Sequence, residues 1–188
     1  PPPDLDLELL TTVVAQAATA CERAELQRLA VQDPLTGALG LSYFRRRVVD
    51  EVALAQHARQ SVALLGFRVS ERNRSARRLR QFVQLLRARF DSRAVIGQGD
   101  AGCFYVMQAG ADRGAAEVAR EEVAAAWREA GRREGLGLGG ASFHSSVAAF
   151  PAAAAPAAFL FDSVQHQLHA APVRDAVEAE SDARPPRA

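Results

Sequence analysis

Apolar residues recur along this chain with two different periods, and the period marks each element. From Leu7, the positions Leu7, Leu10, Val14, Ala17, Cys21, Ala24, Arg28 and Val31 advance by alternating steps of three and four, the spacing of a paired helical seam. Residues 1–32 therefore read as a helical stalk, a coiled coil that pairs with a second copy of itself. The seam is thin, because Ala17, Cys21 and Ala24 bury little area and Arg28 interrupts it. The same stripe also suits one amphipathic helix folded back on its own domain. Asp33-Pro34 ends this helix, since the residue before a proline is pushed out of the α region, and Gly37 supplies a permissive backbone. A second helix is predicted from about Leu39 to His57, with Tyr43, Phe44, Val48, Val52 and Ala55 on one face.

The run SVALLGFRV, 61–69, is apolar and partly β-branched, the pattern of a buried strand. Leu79, Phe82, Val83, Leu86 and Phe90 have helical spacing, with arginines on the outer side. RAVIGQGDAGCFYVM then reads as two strands, 93–97 and 102–108, joined by a tight turn over Gln98 to Ala101. A helix over 111–130 is expected to turn Ala115, Val118, Ala119, Val123, Ala126 and Trp127 inward. The loop GLGLGG leads into a strand over 141–150, and a last helix over 157–171 points Leu160, Phe161, Val164 and Leu168 at the core. Residues 172–188 lack apolar periodicity and read as a loose tail. The order of elements after the stalk is helix, βαββαβ, helix. It predicts an α/β (α+β) palm-type antiparallel sheet over 33–171, with helices on one face.

Composition narrows the class. Hydrophobic residues make up 48% of 188, enough for a real core. No window holds the roughly 18 apolar residues of a membrane span, and the acidic start PPPDLDLELL is unlike a secretory signal, so a cytoplasmic protein is expected. Cys21 and Cys103 lie far apart, without the spacing of a zinc site, and read as small buried residues. The formal charge of +1 offers no global reason to expect nucleic acid as a partner. Its distribution is uneven: every basic residue is arginine, and nine lie between Arg68 and Arg93, opposed only by Glu71 and Asp91. Such a run can hold phosphates or can form a solvated helix face.

The segment 33-DPLTGALGLSYF-44 resembles the DxLTGLxNRRxF entry sequence of GGDEF domains, the fold of diguanylate cyclases, matching it at Asp33, Leu35, Thr36, Gly37 and Phe44. Gly40, Leu41 and Ser42 depart from it. The order of elements downstream agrees to about residue 171, and the stalk looks like the signalling helix that precedes many such domains. The resemblance implies an enzyme that joins two GTP molecules, a phosphoryl transfer that needs carboxylates to hold divalent metal. At the positions of the first-strand metal ligands this chain has Gly66 and Arg68. The signature turn aligns with Gly99, Asp100, Ala101, Gly102 and Cys103, leaving Asp100 as its one carboxylate. The guanine-reading segment after the first strand is reduced to SERNRS, in which Asn73 stands alone. His169 falls where the family's phosphate-binding lysine lies on the last helix, and the RxxD inhibition motif would fall on Phe90 to Arg93, where its order is not met.

Other constellations dissolve on inspection of their context. Gly135, Gly137 and Gly140 satisfy GxGxxG, yet they feed a strand, whereas a phosphate cradle opens a helix. Asp162, His166 and His169 share one side of the last helix, a spacing open to zinc or nickel but equally to surface residues. Ser142, His144, Ser145 and Ser146 alternate across a strand and cannot form one catalytic group. Tyr105 and Trp127 lie in core-like patterns.

Together these readings predict a degenerate, catalytically silent GGDEF-like domain without cofactor or metal. It would act as a signalling or protein-interaction module and pair as a homodimer through Leu7, Leu10, Val14, Ala17, Cys21, Ala24 and Val31. The alternative is a receptor for cyclic di-GMP or another guanine nucleotide. It would use Arg72, Arg74, Arg77, Arg78 and Arg93, because arginine forks onto phosphate and stacks on guanine. The protein partner is not identified by any motif.

Overall fold

The computed structural model of the chain describes residues 10–20, 31–100, 102–135, 143–151 and 157–170. A helix over residues 10–20 (α1) comes first. It is followed by β1 (Leu39–Gly40), α2 (Leu41–Ala58), β2 (Val62–Val69), α3 (Ala76–Arg89), β3 (Val95–Gln98), β4 (Cys103–Ala109), α4 (Arg113–Arg133), β5 (Phe143–Phe150) and α5 (Ala157–Ala170). The sheet order is β1-β3-β4-β2-β5. Pairs β3·β4, β4·β2 and β2·β5 are antiparallel, as the split βαβ reading requires, and the two-residue β1 adds a parallel edge to β3.

Strand β2 sits between two partners and has apolar side chains on both faces, which is why its sequence is a continuous run with no polar alternation. Ala63, Leu65, Phe67 and Val69 point to one side, where they meet α3 and α4 through Phe82, Val83, Leu86, Val123 and Trp127. Val62 and Leu64 point to the other, against Phe44, Val48 and Val52 of α2 and Phe161, Val164 and Leu168 of α5. Helices therefore cover both faces, where the sequence pattern led to one. A strand apolar on both sides has no face left for water, so each side needs its own helical layer.

Local signals set the helix ends. Ser75 caps α3 by accepting from the Arg78 amide, Asp112 caps α4 by accepting from the Ala115 amide at 2.8 Å, and α2 stops where Arg59 adopts a left-handed φ of 53°. Three expectations shift. Tyr43 is 45% exposed, since its neighbour Phe44 takes the inward position. On α4 the inward stripe is Ala116, Val123 and Trp127, leaving Ala115 and Val118 in solvent. The indole of Trp127 meets Phe82 at 5.0 Å between ring centroids, and that contact sets the rotation of the helix. Val118, nine residues earlier, lies about half a turn away from it. The connection between β3 and β4 runs over Gly99–Gly102, one residue later than expected, because Gln98 stays in the ladder opposite Phe104 and Gly102 takes the left-handed position at φ 71°. The tail 172–188 and the stalk positions Leu7, Cys21, Ala24 and Arg28 lie outside the described residues.

Candidate functional site

The entry motif is held by its own side chains. Asp33 Oδ1 accepts from the Leu35 amide at 3.1 Å, the Thr36 amide at 2.8 Å and the Thr36 hydroxyl at 2.8 Å. The Thr36 hydroxyl also reaches Gln98 Oε1, the residue that leads into the signature turn. Gly37 is left-handed, and its carbonyl accepts from Arg87 at 2.9 Å. The sequence motif thus ties the start of the domain to the root of the β3–β4 connection, a link that required the tertiary structure to see.

At the end of the sheet that carries this connection, antiparallel pairing sets Arg68 of β2 opposite Cys103 of β4 on one side and His144 of β5 on the other. The turn is closed by Gly99 N–H to Cys103 O at 2.9 Å and Cys103 N–H to Asp100 O at 3.0 Å, and it is fastened to β2 by Val69 N–H to Gly102 O at 3.0 Å. Arg74 lies across it: its Nε donates to Val69 O at 3.3 Å, and a Cβ at Gly102 would come within 3.0 Å of that same Nε. Asn73 is buried and donates its amide to Ser70 Oγ at 2.8 Å.

Gly66 lies further back on the same face of β2 as Arg68. A Cβ there would stand 2.5 Å from Val164 Cγ1, 2.6 Å from Leu168 Cδ1 and 3.0 Å from Ser146 Oγ. Helix α5 packs directly onto the strand backbone at this point, and two further bonds hold it. Ser146 Oγ donates to Val164 O at 3.0 Å, and His144 Nε2 lies 3.0 Å from Gln167 O. The space beside Gly66 is therefore occupied by the apolar side of the last helix. A signal for this existed: glycine inside a run of large buried residues marks the close approach of another element.

The chemistry available at this end is limited. Burial pushes the Cys103 thiol up, and the positive charges of Arg68 and Arg74 oppose that shift without cancelling it. The Tyr105 hydroxyl, bonded to that thiol and buried, is pushed well above the ordinary phenol range, mainly by desolvation. Both shifts favour the protonated, uncharged forms. As a donor set for a divalent cation the end is poor. Asp100 is exposed, Glu71 is 88% exposed and paired with Arg74 at 3.5 Å, and Arg68 and Arg74 place positive charge near Cys103 of the turn. Among the described residues no three His, Cys, Asp or Glu side chains assemble as a metal site; Ala101 of the turn lies outside them.

The remaining sequence candidates scatter. Arg72 and Arg74 precede α3, Arg77 and Arg78 lie in its first turn, and Arg93 follows its far end, some 20 Å along a 14-residue helix. Arg78 is buried over the Trp127 ring at 4.0 Å and bonded to Glu134 at 3.1 Å, so it works inside the α3–α4 packing. Arg77 reaches the same carboxylate at 3.7 Å. Phe90, Asp91 and Ser92, where the inhibition motif would lie, form one wall of a cleft of about 500 Å³ shared with Gln32, Gly37, Leu39 and Arg87. On α5, His166 and His169 are exposed, and Asp162 is paired with Arg45 at 2.9 Å. Ser145 faces Arg120 and Ser146 faces α5, so the serines diverge as strand alternation requires, while Ser142 is outside the described residues. Leu10, Val14 and Ala17 of α1 are exposed, and Val31 is half-buried. No helix among the described residues is long and apolar enough to cross a membrane.

No family model matches the sequence, and no curated protein does. Solved structures match through the fold. The coiled coil and GGDEF domain of DgcB from Caulobacter crescentus, in complex with cyclic di-GMP, has a TM-score of 0.74 over 96% of each chain at 12% identity. The FimX GGDEF domain from Pseudomonas aeruginosa has a TM-score of 0.58 at 21% identity, covering 81% of this chain and 94% of that one. The diguanylate cyclase SiaD in complex with its activator SiaC, also from Pseudomonas aeruginosa, has a TM-score of 0.58 at 17% identity, covering 95% of this chain and 69% of that one. With the split βαβ sheet, its two helical layers and the preceding helix in the same order, the chain has the fold of a GGDEF domain on an N-terminal helical stalk.

Proposed function

We propose that this chain is a signalling domain of the cyclic di-GMP type that no longer joins nucleotides and works as a protein-interaction module. One observation carries the reading: Val164 and Leu168 fill the space beside Gly66, and Arg68 follows two residues on. Phosphoryl transfer between two triphosphates needs cations to offset the charge gathered in the transition state. An arginine can neutralise phosphate, but it cannot coordinate Mg²⁺, and its charge repels one. The fold survives such losses because the two cores depend on apolar patterning and the activity on a few side chains.

Incubation with GTP and Mg²⁺ is expected to give no cyclic dinucleotide, and appreciable product rejects silence. In the second reading the chain is a receptor, favoured by Arg72 and Arg74 standing at the same end as the turn. Titration with cyclic di-GMP in a calorimeter checks it in the same series, and absence of heat at tens of micromolar protein removes it.

Pairing through the stalk belongs to the same proposal. Leu10, Val13 and Val14 are 45%, 54% and 64% exposed on α1, an apolar edge that a second copy would cover. Sedimentation of the chain with and without residues 1–32 is expected to show a dimer and a monomer. Equal masses per particle would remove the stalk as the dimerising element.

A further inference from the structure

Helix α3 has the sequence ARRLRQFVQLLRAR, with five arginines and no acidic residue. Its neighbour α4 is equally rich in arginine but balances it along its own length. Arg113 and Arg120 pair with Glu117, Arg120 also with Glu121, and Arg132 and Arg133 with Glu129. On α3 no such local balance exists. Arg77, Arg80 and Arg87 stand exposed on its outer side with Gln84 between them, a row about 15 Å long at 1.5 Å per residue. Arg80 makes no ion pair or hydrogen bond among the described residues. Arg77 lies at 3.7 Å from Glu134, with 77% of its side chain exposed, and Arg87 spends one N–H on Gly37 O. Most of the fork donors in the row therefore face solvent.

We infer that this row is a docking surface for an acidic helical segment of a partner protein, its carboxylates taken by Arg77, Arg80 and Arg87. The inference rests on the protein-interaction reading above and names the surface. Planar guanidinium groups match carboxylates with paired bonds, and a chain built without any lysine has arginine at every such position. A protein segment fits better than an extended polyanion. Among the described residues α3 exposes no large apolar side chain that could enter a bilayer and no aromatic ring that could stack on a base. The adjacent α4, packed beside α3 on the same sheet face, nearly balances its five arginines with Glu117, Glu121, Glu122 and Glu129, so a duplex or an anionic lipid surface wide enough to lie on both helices would gain little net attraction there and would meet those glutamates. An acidic row no wider than one helix avoids them.

Two synthetic helical peptides of one composition supply the test. One carries glutamates on a single face at spacings of three and seven residues; the other has them spread around the helix. Fluorescence anisotropy at low ionic strength is expected to show the first bound at least about tenfold more tightly than the second. Arg80→Glu, a change at an exposed side chain without partners, is expected to weaken that peptide by at least about tenfold while circular dichroism stays unchanged, and about 0.5 M salt should abolish binding. Failure of the patterned peptide to bind overturns the inference, as does equal binding by the Arg80→Glu protein. Tighter binding of phosphatidylserine vesicles or duplex DNA than of the peptide overturns it too. Turnover of GTP would reject catalytic silence without touching this result, so the two readings fail separately.

Discussion

A Gly66→Asp substitution is expected to destabilise the domain by more than about 4 kcal/mol, and so to lower its melting temperature by roughly 10 °C or more, without producing turnover. Two costs add. The new Cβ meets Val164 and Leu168 at 2.5 and 2.6 Å, and forcing atoms into a filled core costs about 1–3 kcal/mol. The carboxylate is then trapped beside apolar side chains, where an unpaired charge costs several kcal/mol more or takes up a proton. Gly66→Ala should incur the first cost alone. Thermal unfolding of the three proteins separates these contributions. A Gly66→Asp protein within about 1 kcal/mol of the parent would show that α5 gives way easily, and would undo the view that the last helix seals this end.

Trp127→Ala is expected to cost about 3–5 kcal/mol, a large share of the stability of a domain this size. The indole is fully buried, edge-on to Phe82 at 5.0 Å, with the Arg78 guanidinium over its face at 4.0 Å. Its Nε1 has no hydrogen-bond partner among the described residues, so the loss is one of packing and of the cation–π contact, with no hydrogen bond to replace. Burial pulls the Arg78 pKa down and Glu134 opposes the shift, so a cavity beside that guanidinium also weakens the enclosure that keeps the pair in place. Trp127→Phe, which keeps an aromatic face under Arg78, should cost markedly less than alanine. Urea unfolding measures both, and a Trp127→Ala loss below about 1 kcal/mol would remove the indole as the pin between α3 and α4.

Both sites show what a linear reading can and cannot reach. Phe44, Val48, Val52 and Ala55 were identifiable as an inward stripe because helical spacing and apolarity agree. On α4 Val123 and Trp127 were legible as inward, whereas Ala115 and Val118 face solvent and Ala116 lies inside, because alanine is abundant all round the helix and periodicity carries little contrast there. The entry motif was visible as Asp33, Leu35, Thr36 and Gly37, but its bond to Gln98 joins residues 62 positions apart. At Gly66 the absence of a side chain could be read from the sequence. That the gap is closed by Val164 and Leu168 could not, since nothing local relates strand β2 to helix α5.

By itself, then, the sequence determined the order of elements, the strand that is apolar on both sides, the entry turn, and the presence of Gly66 and Arg68 on β2 with Asp100 as the one carboxylate of the β3–β4 turn. Each of these depends on spacing within a few residues or on the identity of a single side chain. Only the tertiary structure decided that helices cover both faces of the sheet, that α5 plugs the strand at Gly66, that Arg78 is buried over Trp127 while Arg80 remains in solvent, and that the arginines do not converge. Those outcomes depend on which distant surfaces meet, and close packing selects among arrangements that the pattern of the chain leaves equally open.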